Sequence, residues 1–215
     1  MLTLIFASVI LCAYFLGSIP TGYLTAKARG IDIRSVGSGN IGATNAFRVL
    51  GKGPGTFVLL VDAAKGCLAC AGLPWLGGVL GLADGLSAST VEWLRMVAGF
   101  SAILGHNYTC WLGFKGGKGI ATSAGVLLAL VPWALLIIVA VFLVVLGTTR
   151  YVSLGSILAA ASLPFATWAT GGSVSLVSVT ALMTLLAIYK HRANIQRLCA
   201  GTESRLGAKP KEAKP

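Results

Sequence analysis

Ile120 to Thr149 reads IATSAGVLLALVPWALLIIVAVFLVVLGTT, 30 residues without a charged side chain. One helix of that length would measure about 45 Å, against a bilayer hydrocarbon core of roughly 30 Å. Pro132 stands near its middle, with no N–H to donate and a ring that clashes with the preceding turn. The run is therefore read as two spans, a short one to about Leu130 and another to about Gly147. This division decides the topology. Arg150 returns to a basic side, the next span runs from Tyr151 to about Thr170, Gly171-Gly-Ser173 turns the chain, and the last span ends at Tyr189. The basic tail from Lys190 then lands with the other basic loops, whereas an undivided run would send it to the opposite face against the positive-inside rule.

The other direction agrees. Span one covers Leu2 to Leu24, loosened near its end by Pro20, and leads into Lys27, Arg29 and Arg34. It lacks the basic start and cleavage site of a signal peptide and reads as a retained span. Span two covers Thr56 to Leu76 and span three Thr90 to Gly105, joined by a Gly- and Ser-rich stretch without Lys or Arg that holds Asp84. The expected fold is an all-α integral membrane protein with seven transmembrane helices, some short or broken. Its N-terminus is outside and its C-terminus cytoplasmic. Residues 1–205 form one polytopic domain, and 206–215 a disordered basic tail.

Composition excludes whole classes. The 215 residues are 56% apolar and only 11% charged, too little charge for a soluble domain. Mean hydropathy is +0.85. The net charge of +11 suits basic loops facing the cytoplasm and anionic partners. No basic helix or aromatic RNA-binding motif accompanies it, so nucleic acid is not an expected partner. Cys67 and Cys70 lie in an apolar run with no second pair or nearby His, and read as packing. Histidines and carboxylates are too few for a metal site.

The polar residues gather in clusters at the basic ends. Gly37-Ser-Gly-Asn-Ile-Gly-Ala-Thr-Asn-Ala-Phe-Arg48 combines glycines, which let a backbone approach a ligand, with hydrogen-bonding side chains and an arginine fork for phosphate. Helical spacing places Asn40, Thr44, Asn45 and Arg48 on one arc of a short amphipathic helix at the interface, ended by Lys52-Gly-Pro-Gly55. Asp62 and Lys65, three apart in span two, read as an ion pair; Glu92 and Arg95, also three apart, as a packing pair near the outer surface. Gly113-Phe-Lys-Gly-Gly-Lys-Gly119 opens the next helix as a phosphate cradle, but it is no P-loop, since Gly119 follows Lys118. His191 and Asn194 share a face at the end of span seven, and Arg192 and Arg197 read as anchors.

These clusters describe a site for small phosphorylated compounds beside a lipid chain. Five residues after His106 is Trp111, and five after His191 is Gln196, so the His–Asp dyad of soluble-type glycerolipid acyltransferases is missing. The acidic array of phosphatidyl transferases is missing too, with six acids in all. Ser38 lies ahead of an interfacial helix and not deep in a span, unlike the nucleophile of an intramembrane protease. A transporter of a phosphorylated solute or lipid is the rival reading. Asp62 and Lys65 are its only midspan support, and no repeat is evident.

The chain resembles the bacterial acyl-phosphate:glycerol-3-phosphate acyltransferases, the PlsY family, from about Gly17 to Arg205. The resemblance rests on Gly17-Ser-Ile-Pro-Thr-Gly22, the Gly37–Asn45 motif, Asp62-x-x-Lys65-Gly66, Gly105-His-Asn107 with Phe114–Thr122, Ser153-Leu-Gly-Ser156 and His191-Arg-x-Asn-Ile195. Ala193 stands where the family often has Glu, and Ile41 where Pro is frequent. The resemblance implies transfer of a fatty acyl group from acyl phosphate to the 1-hydroxyl of glycerol 3-phosphate. The products are lysophosphatidic acid and phosphate, at a bacterial inner membrane with the site facing the cytoplasm. It implies seven spans with the N-terminus outside and no cofactor. Membrane lipids and the two substrates are the partners. Ser38, Arg48, Lys118, His191 and Asn194 are the expected catalytic residues. Gly37, Gly39, Asn40, Gly42, Thr44, Asn45, His106, Asn107, Lys115, Gly116, Gly117, Gly119, Ser153 and Ser156 are the expected substrate-binding ones.

Overall fold

The computed structural model describes residues 1–81 and 85–207. Asp84 and the tail beyond Gly207 lie outside the described residues, whose regular elements are all helices with no strand among them. The helices are α1 Leu2–Ser18, α2 Thr21–Lys27, α3 Ala43–Leu50, α4 Lys52–Cys67, α5 Leu73–Val79, α6 Ala88–Asn107, α7 Ile120–Leu130, α8 Pro132–Thr149, α9 Val152–Ala169, α10 Val174–Lys190 and α11 Arg192–Cys199. A π-helical turn, Leu68–Gly72, joins α4 to α5.

Among the described residues, four stretches are long and apolar enough to cross a bilayer: Leu2–Lys27, Lys52–Gly78, Pro132–Thr149 and Val152–Ala169. A fifth counts if α10 and α11, bent by 57°, are taken together. The chain is thus a multi-pass membrane protein. Trp75, Trp93, Trp133 and Trp168 are all exposed and sit at the connected ends of α5, α6, α8 and α9, as an interfacial aromatic belt requires.

Breaks appear where the backbone chemistry demands them. Pro20, expected only to loosen the first span, interrupts it between α1 and α2, and Pro132 starts α8 directly after α7, as expected. Arg95 caps this second break, donating from Nη2 to the carbonyl of Ala129 at 2.6 Å, one of the carbonyls a helix end leaves orphaned. That contact overturns the expected Glu92–Arg95 pair; Glu92 instead accepts from Ser173 Oγ at 3.3 Å. The end of α3 also differs from expectation. Gly51, at φ +89°, makes the break, and Lys52–Gly55 form the first turn of α4, where Pro54 has no intrahelical bond to lose.

In lipid, apolar side chains gain little by leaving their surroundings, so helices associate through close backbone approach. Two crossings use reciprocal glycines. A Cβ at Gly17 of α1 would overlap the Ala102 carbonyl of α6, and one at Gly105 of α6 would overlap the Tyr14 carbonyl of α1. Likewise Gly66 of α4 meets Thr122 O, and Gly125 of α7 meets Ala63 O. The larger core fills between them with Ile103, Val126, Leu127, Ala159, Leu163 and Met183; Cys70 packs there as an apolar residue, its thiol donating to Arg95 O.

Candidate active site

Connectivity places the end of α2, all of α3, the start of α4, the end of α6, the start of α7, the α8–α9 junction and the α10–α11 bend at one end of the bundle, opposite the Trp belt. A cavity of about 860 Å³ opens there. Its polar wall carries Ser38, Thr44, Arg48, Lys118, His191 and Asn194, and its apolar flank Leu59, Ile120, Ala121, Phe142 and Val152. A second cavity of about 250 Å³ shares Ser38, Asn40, Lys118, Asn194 and Arg197 with it and adds Gly116, Gly117, Lys190 and Arg192.

The first wall is a loop knotted around Asn45. The buried Asn45 amide donates to the carbonyls of Ile33 at 3.2 Å and Val36 at 3.1 Å, and its Oδ1 accepts from Ser38 N at 2.8 Å. Gly37 has φ +63° and a Cβ there would strike Asn45 Oδ1, so only glycine fits. Asn40 Oδ1 accepts from Gly42 N at 2.9 Å, ahead of the helix and not on it. The expected arc therefore divides. All four line the main cavity, but Asn45 and Asn40 spend their oxygens on the backbone, while Thr44 and Arg48 keep their polar ends for it, with Ser38 ahead of α3.

The second wall is the Gly113–Gly119 loop. Gly117 N donates to His106 O at 3.1 Å and Gly116 N to Asn107 O at 3.2 Å. Asn107 also accepts at its carbonyl from Lys190 Nζ at 2.9 Å. Side chains at 116 or 117 would collide with His106, which explains the paired glycines. The loop turns Lys118 into both cavities, whereas Lys115 is exposed and lines neither. Gly39 and the buried Asn107 line neither cavity. Beneath the loop, Lys65 Nζ stands 2.9 Å from Asp62 Oδ1, the expected pair.

The third wall turns on Glu203, a residue that carried no expected role. Its Oε1 accepts from Ser153 Oγ at 2.7 Å and from Asn194 Nδ2 at 2.6 Å; its Oε2 accepts from Arg197 Nε at 2.6 Å. Asn194 Oδ1 in turn accepts from Lys118 Nζ at 2.5 Å. Burial would raise the Glu203 carboxyl, but these three donors hold it below the usual carboxylate range. Arg197 is thus a structural partner of the site and not a plain anchor. Ser156 lines the cavity but donates to Val152 O at 2.9 Å within α9. In the sequence Glu203 stands in the last polar cluster, Gly201–Arg205, one of six acids in a chain with 17 cations, and nothing there names its partners.

Lys118 and His191 also have displaced acidities. Burial pushes the Lys118 ammonium down to about 8, with Glu203 pulling it back up and Arg197, Arg48 and Lys190 adding repulsion. Burial and the Lys118 charge lower His191 to about 4. His191 is neutral at pH 7, and because its Nδ1 lies 2.8 Å from the Ala187 carbonyl, which can only accept, Nδ1 carries the proton.

Glu203→Gln keeps the side chain's shape but turns an NH₂ toward one set of donors. A buried donor left without its acceptor costs about 1–3 kcal/mol. We expect a lower melting temperature in detergent and a kcat/KM reduced about 10- to 100-fold as Asn194 and Lys118 lose their frame. Unchanged melting and kinetics would show that the network does not hold the wall.

Fold and site together define a multi-pass helical membrane protein with a cation-rich cavity bordered by apolar wall. The family model described as glycerol-3-phosphate acyltransferase matches residues 7–201, and the chain belongs to that family. It is 50% identical over 200 residues to a glycerol-3-phosphate acyltransferase of Thermosynechococcus vestitus, covering 92% of this chain and 93% of that one. It is 47% identical over 196 residues to one of Geobacter sulfurreducens, covering 91% and 95%. The fold is similar to the crystal structure of PlsY, an integral membrane glycerol 3-phosphate acyltransferase, in its glycerol 3-phosphate form: TM-score 0.82, 38% identity, 94% of this chain and 96% of that one. The lysophosphatidic acid form matches with TM-score 0.80 and 37% identity, covering 94% and 95%.

Proposed function

We propose that this protein transfers a fatty acyl group from acyl phosphate directly to the 1-hydroxyl of glycerol 3-phosphate, the first committed step of bacterial phospholipid synthesis. The products are lysophosphatidic acid and phosphate, with no acyl-enzyme. One observation carries the mechanism: both carboxylates in the cavity are already committed, Asp62 to Lys65 and Glu203 to Ser153, Asn194 and Arg197. Neither is free to act as base, and the cations beside them suit two phosphates.

Acyl phosphate is a mixed anhydride with a good leaving group, so positioning and charge stabilisation supply the catalysis. The glycerol 3-phosphate oxygen attacks the acyl carbonyl carbon; the carbon–oxygen bond to phosphate breaks, and phosphate leaves. Its oxygen gains basicity as that bond breaks and takes the hydroxyl proton. His191, lowered to about 4, is a poor base at neutral pH. Its bare Nε2 instead accepts the hydroxyl's hydrogen bond and orients it. Arg48 and Lys118 neutralise the phosphates. Ser38, with backbone N–H groups of its loop, stabilises the developing oxyanion. The smaller cavity, bordered by Gly116, Gly117, Lys118, Lys190, Arg192 and Arg197, suits the glycerol phosphate headgroup. The larger cavity's apolar flank suits the acyl chain.

The same reading has seven spans, the N-terminus outside and the site facing the cytoplasm of the bacterial cell membrane. The distribution of charge supports it, since Lys27, Arg29, Arg34, Lys115, Arg150, Lys190 and Arg192 all sit at the cavity end. Purified protein in detergent, given acyl phosphate and glycerol 3-phosphate, should form lysophosphatidic acid and phosphate in equal amounts. No product under these conditions would contradict the proposal and favour a transporter, which needs a sealed compartment to show its activity.

A further inference from the structure

His106 is buried at the base of the glycine loop and lines the main cavity, yet the mechanism above leaves its imidazole unused. Its surroundings fix more than its position. Lys65 Nζ lies 2.9 Å from Asp62 Oδ1, 3.0 Å from the Ile19 carbonyl and 2.9 Å from His106 Nδ1. An ammonium has three N–H donors and no acceptor. The Ile19 carbonyl takes one, Asp62 faces the ammonium as an ion pair, and Nδ1 can meet Nζ only as an acceptor. Asp62 Oδ1 is 3.7 Å from Nδ1, too far to take a proton from it in a hydrogen bond. Nδ1 is therefore the acceptor, and the ring proton sits on Nε2.

That nitrogen points at the loop. A Cβ on Gly117 would overlap His106 Nε2, so the absence of a side chain there leaves room for the ring edge. Among the described residues, Nε2 donates to none. A donor without a protein partner, beside a glycine loop and Lys118, has the chemistry to meet an anionic oxygen.

We propose that the buried Asp62–Lys65 pair holds His106 as its Nε2–H tautomer and thereby makes it a hydrogen-bond donor to a substrate phosphate oxygen beside Gly117. This rests on the function proposed above. Asp62 and Lys65 are positioning residues; His106 is the contact. His191 is its mirror image in the same cavity: Nδ1–H is tied to Ala187 O, and Nε2 is left as an acceptor. One histidine donates to substrate and the other accepts from it, and neither ring changes charge.

The chain has two histidines, so imidazole-15N labelling gives a spectrum that can be assigned with a single His191→Gln variant. In detergent-solubilised wild-type protein at neutral pH, His106 should show a protonated Nε2 and a bare Nδ1, and His191 the reverse. A protonated Nδ1 on His106 would overturn the proposal whether or not the chain makes lysophosphatidic acid. The kinetic arm uses two variants of comparable melting temperature. His106→Leu, which removes the donor, should raise KM for one phosphate substrate about 10- to 100-fold, the loss expected for a hydrogen bond to a charged group. His106→Gln, which keeps an N–H donor, should restore most of it. The substrate whose KM moves identifies the phosphate contacted, glycerol 3-phosphate or acyl phosphate. Equal KM values in the two variants would reduce His106 to packing. Absence of turnover in the wild type would instead remove the functional reading, leaving the spectrum to decide the tautomer.

Discussion

Lys118→Met should lower kcat/KM by about three orders of magnitude without unfolding the protein, the scale of removing a charge-stabilising donor from a catalytic site. Lys118 is the cation that both cavities share on the glycine loop, and it is tied to Asn194 at 2.5 Å. Methionine has similar length and no charge. Burial already opposes the ammonium, so an apolar replacement costs little stability. The wild-type pH profile tests the same residue independently. A lysine depressed to about 8 is charged at pH 7 and loses its charge as pH rises through that value. Phosphate binding, and with it kcat/KM for glycerol 3-phosphate, should therefore fall above pH about 8. Steady-state assays of lysophosphatidic acid formation from neutral to alkaline pH check both statements. A flat alkaline limb together with an active Lys118→Met would remove this residue from the site.

Gly125→Leu should abolish the folded protein altogether. The α4–α7 crossing brings Gly125 against Ala63 O and Gly66 against Thr122 O, backbone on backbone, and a side chain has nowhere to move. Inserting extra atoms into a packed interior costs about 1–3 kcal/mol even when neighbouring side chains can yield. Here two helices must separate. The glycine loop leads directly into α7 and Asp62 and Lys65 stand on α4, so the second wall of the cavity would go with them. Gly147→Leu on α8 is the matched control, since nothing lies within 4 Å of a Cβ there. The check is the monodisperse fraction extracted in detergent. It should collapse for Gly125→Leu and persist for Gly147→Leu; equal yields would mean that the crossing tolerates separation.

Much of the helix plan was legible because prolines and glycines act locally. Pro20 and Pro132 break helices by removing an N–H, wherever the rest of the chain lies. The i,i+3 spacing of Asp62 and Lys65 likewise fixed their pairing within one helix. The same spacing failed for Glu92 and Arg95, because Arg95 reaches an orphan carbonyl on another helix, Ala129. It was incomplete for Asn45, which lines the cavity with Arg48 but whose amide serves the carbonyls of Ile33 and Val36. Glu203 was out of reach for a simpler reason. Ser153 is 50 residues away in sequence, and no periodicity links them. Nor did composition distinguish Lys115 from Lys118; the loop's backbone turns one outward and the other into the cavities.

Direct transfer is the centre of this account, and phosphate release in a single turnover tests it. Enzyme in excess over labelled acyl phosphate should release phosphate only after glycerol 3-phosphate is added, one phosphate for each lysophosphatidic acid, with no label on the denatured protein. A burst of phosphate before addition, with acyl label retained on Ser38, would contradict it.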